Sequence, residues 1–199
     1  TAIPALYALY LRVKLPDSKK YEAISKEART SVMQNIKTVW TKKYARATTM
    51  LWVLWFMVVF SYYGMFLWLP SVMVMKGFSL IQSFEYVLIM TLAQLPGYFT
   101  AAWLIEKMGR KWVLAVYLTG TALSALAFGF ATDATMLVMF GMLLSFFNLG
   151  AWGAMYAYTP ENYPTMIRGT GVGLAAGVGR VGGVIGPLVV GSLTAAGYG

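Results

Sequence analysis

The chain predicts an all-α, polytopic membrane helical bundle of about five full spans plus a partial one. Three observations predict it. Hydrophobic residues make up 59% of the 199 residues, and mean hydropathy is +0.64, far above the balance of a soluble domain. Charged residues are only 12% and gather between long apolar runs. Those runs approach the roughly 20 residues that a helix needs to cross the hydrocarbon core. Composition also excludes chemistry. With no cysteine and no histidine, thiol nucleophiles, disulfides, imidazole bases and the commonest metal ligands are missing together. Seven carboxylates remain and are scattered, so no cofactor or metal is expected and a membrane enzyme is disfavoured. The net charge of +9 is concentrated in one segment. That fits a cytoplasmic loop, and no nucleic-acid partner is expected.

Residues 1–13 (TAIPALYALYLRV) are too short to span alone and read as the end of a membrane helix reaching the surface at Arg12 and Lys14. Residues 14–49 form a basic cytoplasmic loop in which Ile24, Ala28, Val32, Ile36 and Val39 recur at helical spacing. An amphipathic helix on the inner membrane surface is expected there, either as a solvated linker or in contact with lipid. Residues 50–199 hold the five spans: 50–69 ending at Pro70, 79–104 interrupted by Pro96 and Gly97, 112–131, 134–158 and 169–193. The basic loop at 14–49 is placed inside, so alternation puts 70–78 and 132–133 outside and 105–111 and 159–168 inside. Lys107, Arg110, Lys111 and Arg168 then lie inside and Lys76 outside, as the positive-inside bias requires. A start at Thr1 within helix-like sequence, and an end just after a span, read as a piece of a longer protein.

Three loop motifs resemble one family. EKMGRK (Glu106–Lys111), PENYPTMIRG (Pro160–Gly169) and LPDS (Leu15–Ser18) are similar, in order and spacing, to signatures of the major facilitator superfamily. Glu106 stands where the pattern usually has Asp. The resemblance implies half of a major facilitator fold, from the end of its sixth helix through its eleventh and lacking its last, in a cell membrane. The N-terminal half of the same transporter and the lipid bilayer are the implied partners. It also implies that Glu106, Arg110, Glu161 and Arg168 bridge helix ends as a cytoplasmic gate; simple topology control by positive charge is the other reading. Within the superfamily, YYGMFLWLPSV, AQLPGY, YTPENYPT and GRVGG resemble niacin-type transporters, which are related to the synaptic vesicle glycoprotein 2 family and to metabolite–proton symporters. The paired glutamines of sugar porters are missing from the first span, which counts against a hexose carrier.

Several residues are candidates for a site. Arg180 lies mid-span, where a charge costs at least a few kcal/mol. A helical wheel puts Leu174, Val178, Val181, Ile185 and Leu188 on a lipid stripe, and Gly169, Gly173, Ala176, Arg180, Gly183, Pro187 and Gly191 on a different, small-residue face. Arginine holds a carboxylate by two parallel hydrogen bonds; a structural ion pair is the alternative. Gly177, Gly179 and Gly182 match a dinucleotide fingerprint literally, but inside a membrane helix and without its strand. Ser145, Asn148, Trp152 and Tyr156 share one face of the fourth span, suited to an aromatic ligand or to helix packing. Tyr62 and Tyr63 line either the cavity or the interface, and Gln94 is a polar cavity candidate. Glu85, within a span, is the candidate for proton coupling. The expected function is secondary active transport of a small organic solute by alternating access, proton-coupled: an organic anion or aromatic metabolite such as nicotinate. A sugar-type carrier and a non-transporting receptor or scaffold on the same fold are the alternatives.

Overall fold

The computed structural model describes residues 31–197, together with Tyr7 and Tyr10. The partial helix expected at 1–13, apart from those two tyrosines, the LPDS motif and the first part of the basic loop lie outside the described residues. Every regular element among the described residues is helical. Helix α1 (Val32–Val39) belongs to the amphipathic pattern of the loop and starts at Ser31, whose side chain accepts from the Gln34 N–H.

Helix α2 (Lys42–Phe66) begins well before the apolar run does at Met50. Lys42, Lys43, Ala45, Arg46 and Ala47 favour helix without belonging in hydrocarbon, so the helix boundary and the membrane boundary differ. Pro70 does not end a helix here. It sits in the first turn of the short helix α3 (Leu69–Met75), where its missing N–H is no loss. The second span is two helices, α4 (Leu80–Leu92) and α5 (Gln94–Met108), joined at Ala93. Pro96 cannot donate to Leu92 and crowds that turn, so the break falls just ahead of the Pro96–Gly97 pair. Gly109, at φ 81°, makes the sharp corner into α6 (Arg110–Gly129), a backbone conformation that side chains with a Cβ rarely adopt. Asp133 caps α7 (Ala134–Tyr158) by accepting from the Met136 N–H at 2.8 Å. A 3-10 turn, Thr159–Asn162, leads to α8 (Thr165–Ala195). Five units are long and apolar enough to cross a membrane: α2, α4 with α5, α6, α7 with its turn, and α8.

Small residues set the packing. Helices α2 and α8 run side by side through a seam of Gly179, Gly182 and Gly186. A Cβ added at Gly182 would stand 2.5 Å from the Phe56 carbonyl oxygen, and one at Gly186 2.5 Å from that of Phe60. These helices therefore meet backbone to backbone, the arrangement by which membrane helices gain van der Waals contact without a hydrophobic driving force. Helix α7 has α5 against its Phe146 backbone at Gly97, and α6 against it through Tyr117 and Phe147. The main core, including Leu51, Trp55, Val59, Ala101, Tyr117, Ala154, Met155 and Ala175, draws on α2, α5, α6, α7 and α8. One end of the bundle collects the start of α2, the α5–α6 corner and the 3-10 turn, because Arg110 pairs with Glu161 and Tyr163 bonds Thr48. That is the arrangement expected of the inner loops.

The seam makes a prediction. Gly182→Ala or Gly186→Ala should destabilise the full-length protein in detergent by about 1–3 kcal/mol through overpacking. At Gly173 and Gly177 an added Cβ meets nothing within 4 Å, so alanine there should be neutral or stabilising by up to about 1 kcal/mol. Thermal-unfolding curves of the four variants check this; equal shifts would exclude the seam.

Candidate functional site

The structure brings the aromatic residues of α2 and α7 together. The Trp152 ring lies edge-on to Tyr62 at 5.2 Å and near Tyr63 at 6.4 Å, and Tyr62 packs on Phe66 at 4.8 Å. Tyr62 and Phe66 share a face because they are four residues apart, as do Asn148, Trp152 and Tyr156. Tyr156, half-exposed, packs edge-on against Trp55 at 4.8 Å. Tyr98 of α5 adds a further ring: it lies against Gly153, where a Cβ would stand 2.9 Å from it. Sequence reasoning missed Tyr98 as a site residue, although it stands four positions after Gln94 and so on the same face.

The polar candidates of this region are buried and under-bonded. Asn148 donates to the Ser61 hydroxyl at 3.5 Å, while its Oδ1 has no partner among the described residues. The Gln94 Nε2 and the Ser145 hydroxyl are also buried without partners among them. An unpaired buried polar atom costs about 1–3 kcal/mol. These positions are where a new hydrogen bond, to water or to a ligand, gains most.

Arg180 stands halfway along the 31-residue α8. It is exposed, and among the described residues it has no hydrogen-bond or ion-pair partner. The wheel placed it on a small-residue face, and the structure divides the small residues in two. The pressed seam is Gly171, Ala175, Gly179, Gly182 and Gly186. Arg180 lies beside it, on the side where Gly169, Gly173 and Gly177 leave open space. One turn on, Gly183 faces the ring of Tyr63, where an added Cβ would stand 3.2 Å away. Gly183, three positions after Arg180, is thus the residue of α8 that meets the aromatic wall. Glu85 is exposed on α4 between Ile81 and Leu88, with no partner among the described residues.

At the inner end, two of the four gate candidates are joined: Arg110 forms an ion pair with Glu161. Arg168 donates instead to the Tyr163 carbonyl at 3.4 Å, and Glu106 has no ion-pair partner among the described residues. Four further residues cluster here that sequence reasoning did not single out. Tyr163 donates to Thr48, and Trp55 donates to Thr159. Thr159 and Tyr163 lie in the YTPENYPT phrase, so a signal existed for them. Nothing in the local sequence of Thr48 or Trp55 announces a partner more than 100 residues away.

A concavity of about 850 Å³ lies elsewhere, between α2, α6 and α7. Its walls are chiefly Met50, Val53, Leu54, Met57, Leu114 and Leu118, and Asn148 is the one predicted site residue that it touches. The groove is mostly apolar, as suits neighbours in the hydrocarbon, with Ser61, Thr121 and Asn148 among its polar members.

A model of the Major Facilitator Superfamily matches residues 83–199. The chain is 67% identical over 195 residues to a Bacillus subtilis strain 168 protein named for niacin/nicotinamide transport, NiaP, covering 98% of this chain and 48% of that protein. It is 45% identical over 215 residues to the niacin transporter NiaP of Acinetobacter baylyi, covering 94% of this chain and 49% of the relative. It is 27% identical over 197 residues to the 3-(3-hydroxy-phenyl)propionate transporter of Escherichia coli K12, covering 99% and 48%. The chain spans about half the length of these curated relatives. With its five apolar spans it is a multi-pass protein of the cell membrane, and it belongs to the major facilitator superfamily.

Proposed function

We propose that this chain forms one wall of the cavity of an alternating-access carrier for a small aromatic carboxylate of the nicotinate type. The observation that carries the reading is Arg180: a cation at mid-span with no partner among the described residues, three positions before the Gly183 that meets the ring of Tyr63. A guanidinium grips a carboxylate through two parallel hydrogen bonds, and the aromatic wall offers faces and edges to a flat ring. The names of three relatives support the same class, since niacin and a phenylpropionate are both aromatic acids. In such carriers substrate sits near the midplane between two halves, so the opposite wall belongs to the rest of the longer protein.

The Arg110–Glu161 pair is the inner gate in this reading. Both side chains are over 40% exposed, and an exposed pair contributes only about 0–1 kcal/mol. That strength biases two states without locking either. Glu85 serves proton coupling in this reading, as a carboxylate within a span, standing on α4 beside the exposed apolar side chains of Ile81 and Leu88.

Labelled nicotinate uptake by the full-length protein in proteoliposomes tests the site. Arg180→Ala should lower kcat/KM about 100-fold or more, and Arg180→Lys should recover only part, because an ammonium cannot form the two-bonded grip. Trp152→Ala should raise KM about tenfold, in the range of a lost ring contact. Native uptake by well-expressed Arg180→Ala would defeat the proposal. For coupling, Glu85→Gln should abolish the response of uptake to an imposed proton gradient while nicotinate exchange at equal pH persists. A gradient response of native size would exclude Glu85.

A further inference from the structure

Two buried hydrogen-bond chains run between α2 and the turn that carries Glu161. In the first, the Tyr163 hydroxyl donates to Thr48 Oγ1 at 3.0 Å, and Thr48 donates onward to the Val39 carbonyl at 3.0 Å. In the second, Trp55 Nε1 donates to Thr159 Oγ1 at 2.9 Å, and Thr159 donates onward to the Met155 carbonyl at 2.7 Å. Thr48 and Thr159 are 0% exposed, and Trp55 and Tyr163 are 2% exposed. Each threonine hydroxyl accepts one bond and donates one, so its rotor is fixed. Buried and satisfied chains of this kind are stiff, because breaking one leaves polar atoms without water.

Glu161 sits midway between the two attachment points, two residues after Thr159 and two before Tyr163. The carboxylate itself is exposed. Its place is set by flanks that are both anchored on α2. The first chain reaches further still: Val39 is the last residue of α1, and its carbonyl is among the acceptors that a helix end leaves without a partner in the helix. Thr48 therefore ties α1 to α2, and Tyr163 ties both to the turn. The Tyr163 ring is held from behind, since a Cβ added at Gly171 would stand 2.6 Å from it.

We propose that Thr48 and Trp55 are positioning residues of the inner gate. Through Tyr163 and Thr159 they fix where Glu161 meets Arg110, and they make α1 travel with that carboxylate as one body. The proposal rests on the reading of Arg110–Glu161 as a gate. An exposed ion pair loses most of its small contribution once its side chains must first be ordered. A loosened turn is therefore felt at Glu161 although neither Thr48 nor Trp55 touches it.

The test uses the full-length protein in nanodiscs and proteoliposomes, with Thr48→Val, Thr48→Ser and Trp55→Phe made alone and together with Glu161→Gln. Thr48→Val and Trp55→Phe should speed amide exchange across 159–163 about fivefold, the scale of one lost buried hydrogen bond, and should change nicotinate turnover with KM within about twofold. Thr48→Ser should restore both. In the Glu161→Gln background, Thr48→Val should have no further effect on turnover. Native exchange in both variants, or an effect of Thr48→Val that adds in full to that of Glu161→Gln, would overturn the assignment. If Thr48→Val fails to fold, Trp55→Phe carries the same test through the second chain. Unchanged uptake in Glu161→Gln alone would remove the gate reading, while faster exchange across 159–163 would still uphold the anchoring of the turn.

Discussion

The close approach of α2 and α8 is the constraint on which the rest depends. Gly182 and Gly186 set the backbone of α8 against the carbonyls of Phe56 and Phe60, with no room for a Cβ between them. This fixes the rotation of α8 as well as its distance. Successive residues are about 100° apart around a helix, so pinning Gly179 into the seam turns Arg180 out of it. Were the seam lined by larger side chains, α8 would stand further off and its rotation would be free to change. The direction of the one charged residue on this helix's membrane face follows from residues that have no side chain at all.

The aromatic wall depends on the same contact. Gly183 lies against the Val59 side chain and the ring of Tyr63, and Tyr63 packs in turn on Tyr62 and Trp152. Helix α7 is thereby joined to α2 through rings near mid-span and through the Trp55–Thr159 bond nearer the inner end. The inner end contains bonds of two strengths. Those within the α2–α7–α8 unit are buried and saturated, whereas the Arg110–Glu161 pair is exposed to water. The proposed gate needs this inequality: its body stays rigid, and the contact that breaks costs little to break.

Much of the fold is legible in the sequence because the bilayer imposes a length. Five apolar runs give five spans, and the charges between them predict a sidedness. The helix ends are less legible, as α2 shows: Lys42–Thr49 continue the helix beyond the apolar run, and hydropathy cannot see that. The wheel separates Arg180 from the lipid stripe. It cannot choose between two small-residue faces, since Gly179 and Gly177 look alike until α2 is packed against one of them. Long-range hydroxyl bonds such as Tyr163 to Thr48 leave no local pattern, because a threonine in a basic segment reads the same whether bonded or solvated. The ring of Tyr98 was visible as a residue four positions from Gln94, but its contact depends on the absent side chain of Gly153.

Arg180 shows why a partial set of contacts can be more informative than a complete one. A charge at mid-span is costly when alone, and a permanent ion pair inside this unit would have removed that cost. Among the described residues no acid plays that part: Glu161 is held by Arg110 at the inner end, and Glu85 stands on α4 with no partner. The counter-charge must then come from beyond this wall. A binding cation that was already neutralised would give a carboxylate substrate little, since the substrate would have to compete with the resident acid. One left without a resident partner gives it the full charge-assisted bond. In the proposed role of Arg180, its lack of a partner among the described residues is what a carrier needs of it between one substrate and the next.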